Sequence, residues 1–274
     1  MPEMRDYQSS VHVWGSTAHG ALGCLDCKPA SKKVEPIPRR FSPCCTRCIN
    51  GGSAIQVVAG NGFSTVVTDK WEAFSWGGDG KDGRGRNRRV SSLAITKSCS
   101  IKKILLKNVS NISHGAGHHC AVTLDGEIYG WGNNMYGNLG DDNNSSNSSN
   151  DYGRQRNNNR RRSFIVNPRK IALGDNVSRA YDVACGEKHT CVLKQNGDLL
   201  TMGANDAGQL GIGLSHDRRK DKIIPLNVTI SRGVRFRQIA CGSNHCAAIS
   251  SEDGSVYSWG WGKVIRTKPI SSLV

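Results

Sequence analysis

Residues 183–211, VACGEKHTCVLKQNGDLLTMGANDAGQLG, decide the fold. A short apolar run (Cys191, Val192, Leu193) meets Asn196-Gly197 and is answered by a second run (Leu199, Leu200, Met202). Apolar runs flanking a dipeptide that tolerates positive φ make a β-hairpin, and Asn-Gly predicts a type I′ turn. The same layout returns at 112–140 around Asp125-Gly126 and at 239–260 around Asp253-Gly254. Segment 57–77 is a weaker copy, and 11–23 is the tail of another. The interior is rigid: Gly60 to Gly77, Gly115 to Gly132 and Gly186 to Gly203 each span 17 residues, and Gly242 to Gly260 spans 18. A Gly-x4-Gly-x2-Gly tail also recurs, at Gly15, Gly20, Gly23, at Gly132, Gly137, Gly140, and at Gly203, Gly208, Gly211. In the second copy it degenerates, with Asp82 in the middle place and Gly85 closing. Successive copies start 55, 71 and 56 residues apart, so the variation lies between motifs.

One hairpin cannot bury both of its faces, so neighbours must stack. Strand-like pieces between the copies, such as Lys222–Val228 and Pro269–Val274, extend each hairpin. Four-stranded units with glycine and aromatic marks at this period predict a propeller. The hydrophobic period of two disfavours a helical solenoid. Composition agrees: 32 glycines and only 6% aromatic residues do not suit a helical core. No uninterrupted apolar run approaches the ~18–20 residues of a membrane span, and MPEMRDYQSSVHVWG lacks the apolar core of a secretory signal. An intracellular chain, cytoplasmic or nuclear, with no membrane partner is expected. One repeat domain over 1–274 is expected, with copies at 11–23 (partial), 57–85, 112–140, 183–211 and 239–262.

Gly186, His189, Asn196-Gly197, Gly203 and Gly208-Gln209-Leu210-Gly211 share one pattern with Gly115, His118, Asp125-Gly126, Trp131-Gly132 and Gly137-Asn138-Leu139-Gly140. In these residues the chain resembles the regulator of chromosome condensation family, and the resemblance covers the chain outside its insertions. It implies an all-β fold, a β-propeller of that type. The family ring has seven blades, and about four to five are present here, so an incomplete arc is expected. The founding member's activity is guanine-nucleotide exchange on a Ran-like small GTPase. Exchange works by distorting the GTPase's phosphate and Mg²⁺ site across a protein–protein interface, and needs no catalytic signature in the propeller. Plant ultraviolet receptors in the family use tryptophans beside the motif histidine. The corresponding Gly186-Glu187-Lys188-His189 and Gly242-Ser243-Asn244-His245 carry none, which disfavours light sensing.

The chain's net charge is +15, and it lives between the motifs. Basic residues outnumber acidic ones six to two in 24–50, nine to one in 81–107, seven to three in 141–170 and seven to two in 214–238. The excess in these segments is larger than that of the whole chain, so the blades themselves are mildly acidic. Segment 141–162, DDNNSSNSSNDYGRQRNNNRRR, is low-complexity and expected to be disordered. It is either an arm for phosphate backbones or a tolerated loop expansion, and the lack of base-stacking aromatics favours the second. Arg84, Arg86, Arg88 and Arg89 form a denser basic patch.

Eleven cysteines in a chain without a signal read as reduced thiols or metal ligands. Cys24, Cys27, Cys45 and Cys48 form two Cys-x2-Cys knuckles with Cys44 adjacent, in a proline-rich insertion over 24–50. Their spacing suits a structural zinc site, with free thiols as the alternative. Cys185 and Cys241 precede the motif glycine, Cys191 and Cys246 follow the motif histidine, and Cys120 sits close by. Recurrence at repeat positions reads as small buried core residues. His118, His189 and His245 share one position that Phe63 fills in the second copy, which reads as a ring anchored to a loop backbone. Trp14, Trp76, Trp131 and Trp259, with Met202 as the one substitute, read as packing within blades. Gly77–Gly85 is glycine-rich but lacks the Gly-Lys-Ser/Thr ending of a phosphate loop. No catalytic, cofactor-binding or metal residue is assigned, and no enzyme activity is expected of this chain. Two functions stay open: a protein-interaction scaffold whose basic loops contact chromatin or RNA, and an exchange factor for a Ran-like small GTPase.

Overall fold

A computed structural model describes residues 11–16, 24–25, 28–29, 34–40, 52–60, 63–77, 102–140, 164–173, 179–212, 222–228, 233–261 and 265–267. No helix occurs among them, nor any helix long and apolar enough to cross a membrane. The chain forms two compact units, 1–112 and 113–274.

In the first unit β1 (His12–Ser16) pairs with β4 (Val34–Arg40), and β2 (Cys24–Leu25) pairs with β3 (Lys28–Pro29), both antiparallel. Blade I follows, in the order β5 (Ala54–Ala59), β6 (Phe63–Thr68), β7 (Ala73–Gly77), β8 (Lys102–Lys103). Blade II comprises β9 (Val109–His114), at the boundary of the units, with β10 (His118–Thr123), β11 (Ile128–Asn133) and β12 (Phe164–Lys170) in the second. In the second unit, blade III is β13 (Ala180–Cys185), β14 (His189–Lys194), β15 (Leu199–Gly203) and β16 (Lys222–Asn227). Blade IV is β17 (Phe236–Cys241), β18 (His245–Ser250), β19 (Val256–Gly260) and β20 (Ile265–Thr267). Successive four-stranded antiparallel blades are the propeller architecture that the motif spacing predicts.

The second strand of each hairpin explains the stacking. In β10 (HHCAVT) and β14 (HTCVLK) every side chain is buried, on both faces of the sheet. Such a strand lies between two layers, and its near-continuous apolar run replaces the alternation of a one-sided sheet. The cores accordingly form between blades. Val122, Ile128 and Leu139 pack with Val183, Val192, Leu200 and Met202 at the II/III junction. Leu193 and Leu199 pack with Phe236, Ala248, Tyr257 and Trp259 at III/IV.

The hairpin turns differ from the expected type. A type I′ turn needs positive φ at both central residues, but at 124–126 only Gly126 is positive, at 75°. Gly126 N donates to Thr123 O and Thr123 N to Glu127 O, closing a three-residue loop that ends on a left-handed glycine. Gly197 does the same at φ 85°. The wider loop matches the strand register Val122↔Ile128, and the two-residue reading of Asp-Gly misses one residue. In blade I the left-handed place is held by Trp71 at φ 58°, a non-glycine in a strained region.

Trp76, Trp131 and Trp259 are buried as expected, as is Met202. Trp14 is not: it stays 59% exposed on the two-stranded β1–β4 ladder, where no further strand pairs among the described residues.

Candidate functional site

The motif glycine and histidine are one device. In the three copies that carry the histidine, the imidazole packs against the glycine three residues earlier. A Cβ on Gly186 would sit 2.0 Å from His189 Cε1, one on Gly242 2.1 Å from His245 Cε1, and one on Gly115 2.3 Å from His118 Cε1. Glycine is therefore required by volume. The Trp-Gly glycine is required by conformation and approach. Gly203 has φ 111°, and a Cβ there would meet Lys188 O at 2.5 Å.

From this seat the ring reaches the following blade. His118 Nε2 lies 3.1 Å from Thr190 Oγ1, and the Thr190 hydroxyl donates to Asn138 O at 2.6 Å. The hydroxyl proton is spent on that carbonyl, so His118 donates through Nε2. One junction later His189 Nε2 lies 3.1 Å from Cys246 Sγ, whose thiol points to Gln209 O at 3.5 Å. Asn138 and Gln209 are equivalent places in the Gly-x-Leu-Gly tails. The histidine is thus a latch between blades, not a ring tied to its own loop backbone. His245, in the last described blade, is exposed.

Strand register supplies the rest. The residue before the motif glycine faces the residue after the histidine across the hairpin mouth: Cys185↔Thr190 and Cys241↔Cys246. The preceding blade adds its histidine and the residue two further on, which strand alternation places on the same face. The II/III junction therefore gathers His118, Cys120, Cys185 and Thr190. The III/IV junction gathers His189, Cys191, Cys241 and Cys246. Cys120, Cys185, Cys191 and Cys246 are buried, in line with the core reading, while Cys241 is partly exposed. Cys241 Sγ lies 3.4 Å from Cys246 Sγ.

Burial keeps His189 neutral. It pulls His189 down to about 4, helped by the nearby His118. His114 falls to about 4 from burial and then His118, and burial also holds His119 well below its ordinary value. His114 and His119 join Nδ1 to Nδ1 at 2.7 Å, and His119 stacks on Trp131 with ring centroids 5.5 Å apart. This pair was not singled out in the sequence, although the register could have found it: His114 stands at the Cys185 and Cys241 position.

Above the latches lies the end of the blades where β10 begins and β11 ends. Here Met135 is 57% and Trp261 78% exposed. Lys188 Nζ sits 5.3 Å over the Tyr136 ring and 3.5 Å from Glu187. The opposite end carries the hairpin turns and ion pairs, Lys170–Glu127 at 2.6 Å and Arg235–Asp198.

Cys27, Cys45, Cys48, the Arg84–Arg89 cluster and segment 141–162 lie outside the described residues, and of Cys24 only the backbone is described.

Models of the regulator of chromosome condensation (RCC1) repeat match residues 125–193 and 196–249, and a second form matches 109–138, 181–209 and 236–264. The chain belongs to this family. The matches cover 109–264 together, the stretch where the latches repeat. The Ultraviolet-B receptor UVR8 of Arabidopsis thaliana is 31% identical over 92% of this chain and 49% of its own length. The guanine nucleotide exchange factor SRM1 of Saccharomyces cerevisiae is 27% identical, over 92% of this chain and 49% of its own length. This RCC1-repeat chain thus spans about half the length of those relatives. Among solved structures, Prp20p from Saccharomyces cerevisiae superposes with a TM-score of 0.67 at 23% identity, covering 96% of this chain and 60% of that one. The fold is an RCC1-type β-propeller.

Proposed function

We propose that this chain is a non-catalytic, intracellular interaction module whose latch-side rim docks a protein partner. The observation that carries the reading is a division of labour within the repeat. In blades II and III the recurring glycine, histidine, cysteine and tryptophan residues are spent inside the blades and junctions. The residues that differ from copy to copy stand on the rim, with Met135 and Trp261 largely exposed and Tyr136 under Lys188. Exposed tryptophan and methionine are the side chains that anchor interfaces. The test is proximity cross-linking of the full chain in cells. The partner set should be lost in Met135→Ser/Trp261→Ser and kept in Leu124→Ser, which alters an exposed residue at the opposite end. Equal partner sets in both variants would overturn the rim assignment. The basic insertions extend the reading to chromatin or RNA, and binding of duplex DNA and RNA should then weaken steeply as salt rises.

Guanine-nucleotide exchange is the second reading. It is favoured by the likeness to SRM1, an exchange factor, and to Prp20p, a protein that binds Gsp1p and histones. Release of fluorescent GDP from a Ran-type GTPase decides it. No acceleration at micromolar chain removes this reading and leaves the first standing.

A further inference from the structure

We propose that the III/IV junction is a structural metal site, in which Cys191, Cys241 and Cys246 thiolates and the His189 imidazole hold one zinc ion. The ligand atoms of His189, Cys241 and Cys246 lie within 4.8 Å of one another. Two of the separations are 3.1 Å (His189 to Cys246) and 3.4 Å (Cys241 to Cys246). Zinc bonds of ~2.3 Å to sulfur and ~2.0 Å to nitrogen imply tetrahedral edges of roughly 3.5–3.8 Å. At these two edges the ligands would move apart by only a few tenths of an ångström. Cys191 is two residues from His189 on β14, and strand alternation places it on the same face. Three sulfurs and one imidazole are a set that thiolate-preferring cations select.

Cys241 is partly exposed beside the loop 242–245, which gives an ion a way in. Binding exchanges three thiol protons, released to solvent, for three Zn–S bonds, with no change of oxidation state. The II/III junction has the same histidine and two of the same cysteines, His118, Cys120 and Cys185, but Thr190 stands where Cys246 does. A neutral hydroxyl does not ligate zinc in this way, so the site exists at one junction and falls one residue short at the other.

The two junctions supply their own controls. The full chain, purified without chelator, should carry zinc that Cys246→Thr loses by one equivalent. Cobalt-loaded protein should lose its thiolate-to-cobalt absorption in parallel. Cys246→Thr installs the residue that already serves at II/III. Should it still fail to fold, Cys241→Ala at the half-exposed position carries the same expectation. Thr190→Cys should gain one equivalent. A Cys45→Ser/Cys48→Ser variant reports separately on any zinc at the N-terminal knuckles. Full zinc retention in Cys246→Thr and Cys241→Ala would overturn the proposal. So would zinc confined to what Cys45→Ser/Cys48→Ser removes, or a Cys241–Cys246 disulfide in metal-free protein as purified.

Discussion

The II/III and III/IV junctions are built on one plan and closed by different chemistry. At II/III a hydroxyl stands between imidazole and carbonyl, and its bonds of 3.1 and 2.6 Å form a directed chain from His118 through Thr190 to Asn138 O. At III/IV a thiol takes the same place, with a 3.1 Å approach from His189 and a longer 3.5 Å contact to Gln209 O. Sulfur is a weak donor and acceptor, so the second junction relies less on the latch and more on packing. Trp259 compensates there, its Nε1 donating to the same Gln209 carbonyl at 3.0 Å. A hydroxyl-for-thiol exchange, with Trp259 in place of Met202, thus separates a hydrogen-bond latch from a sulfur-rich cluster.

The sharpest way to break the comparison is to unseat a ring. Gly186→Ala places a methyl 2.0 Å from His189 Cε1 and should cost about 3 kcal/mol by chemical denaturation. Gly208→Ala is the control: its φ is 76° but nothing lies within 4 Å, so strain alone should cost about 1 kcal/mol. Equal losses would mean that the ring does not need its seat.

Next, Thr190→Val leaves the His118 Nε2 donor and the Asn138 carbonyl buried without that hydroxyl. It should destabilise by about 2 kcal/mol. Without metal, Cys246→Val should cost less, because the bonds it removes are weaker. The reverse order in thermal or denaturant melts would sink the distinction between the two closures.

Acid sharpens the contrast further. The folded-state value of His189 is depressed to about 4 from its ordinary 6.5. Its contribution is therefore intact above pH 6.5 and lost as pH falls from there toward 4, because the unfolded chain takes up the proton first. In chelator and reductant, wild type should lose about 1.4 kcal/mol more than His189→Gln per pH unit through this window. Parallel stability curves for the two proteins would show that His189 is not held neutral.

The smallest effect lies at a turn. Trp71 occupies the left-handed position that Gly126 and Gly197 fill elsewhere, at φ 58°. Trp71→Gly should stabilise blade I by up to ~1 kcal/mol, since half-exposed tryptophan packing offsets part of the relieved strain. A net loss would show that the packing outweighs the backbone.

Much of this was legible in the residues themselves. The Gly-x-x-His spacing, the Trp-Gly pair and the tail glycines identify blades because each serves a local need, and local needs repeat with the sequence. The partner of His118 was not legible, because Thr190 is 72 residues away and only blade stacking brings it near. The four-residue cluster at III/IV stayed hidden for the same reason: Cys191 and Cys246 read as core when each copy is taken alone. Asp-Gly alone does not give the turn type, because the loop also contains Leu124. The motif position of Trp14 does not give its burial, because covering strands come from outside the motif.

The latch also bears on how such chains lengthen and recombine. Blade III holds the donor half of one joint, His189, and the acceptor half of the joint before it, Thr190. A duplicated segment therefore arrives ready to engage on both sides, whatever the length of chain spliced between copies. The joint closes through contact across the stack and not through covalent spacing, so start-to-start intervals of 55, 71 and 56 residues can coexist in one array. Inheritance can then rewrite the intervening segments freely while the interlocking parts are handed on as a unit.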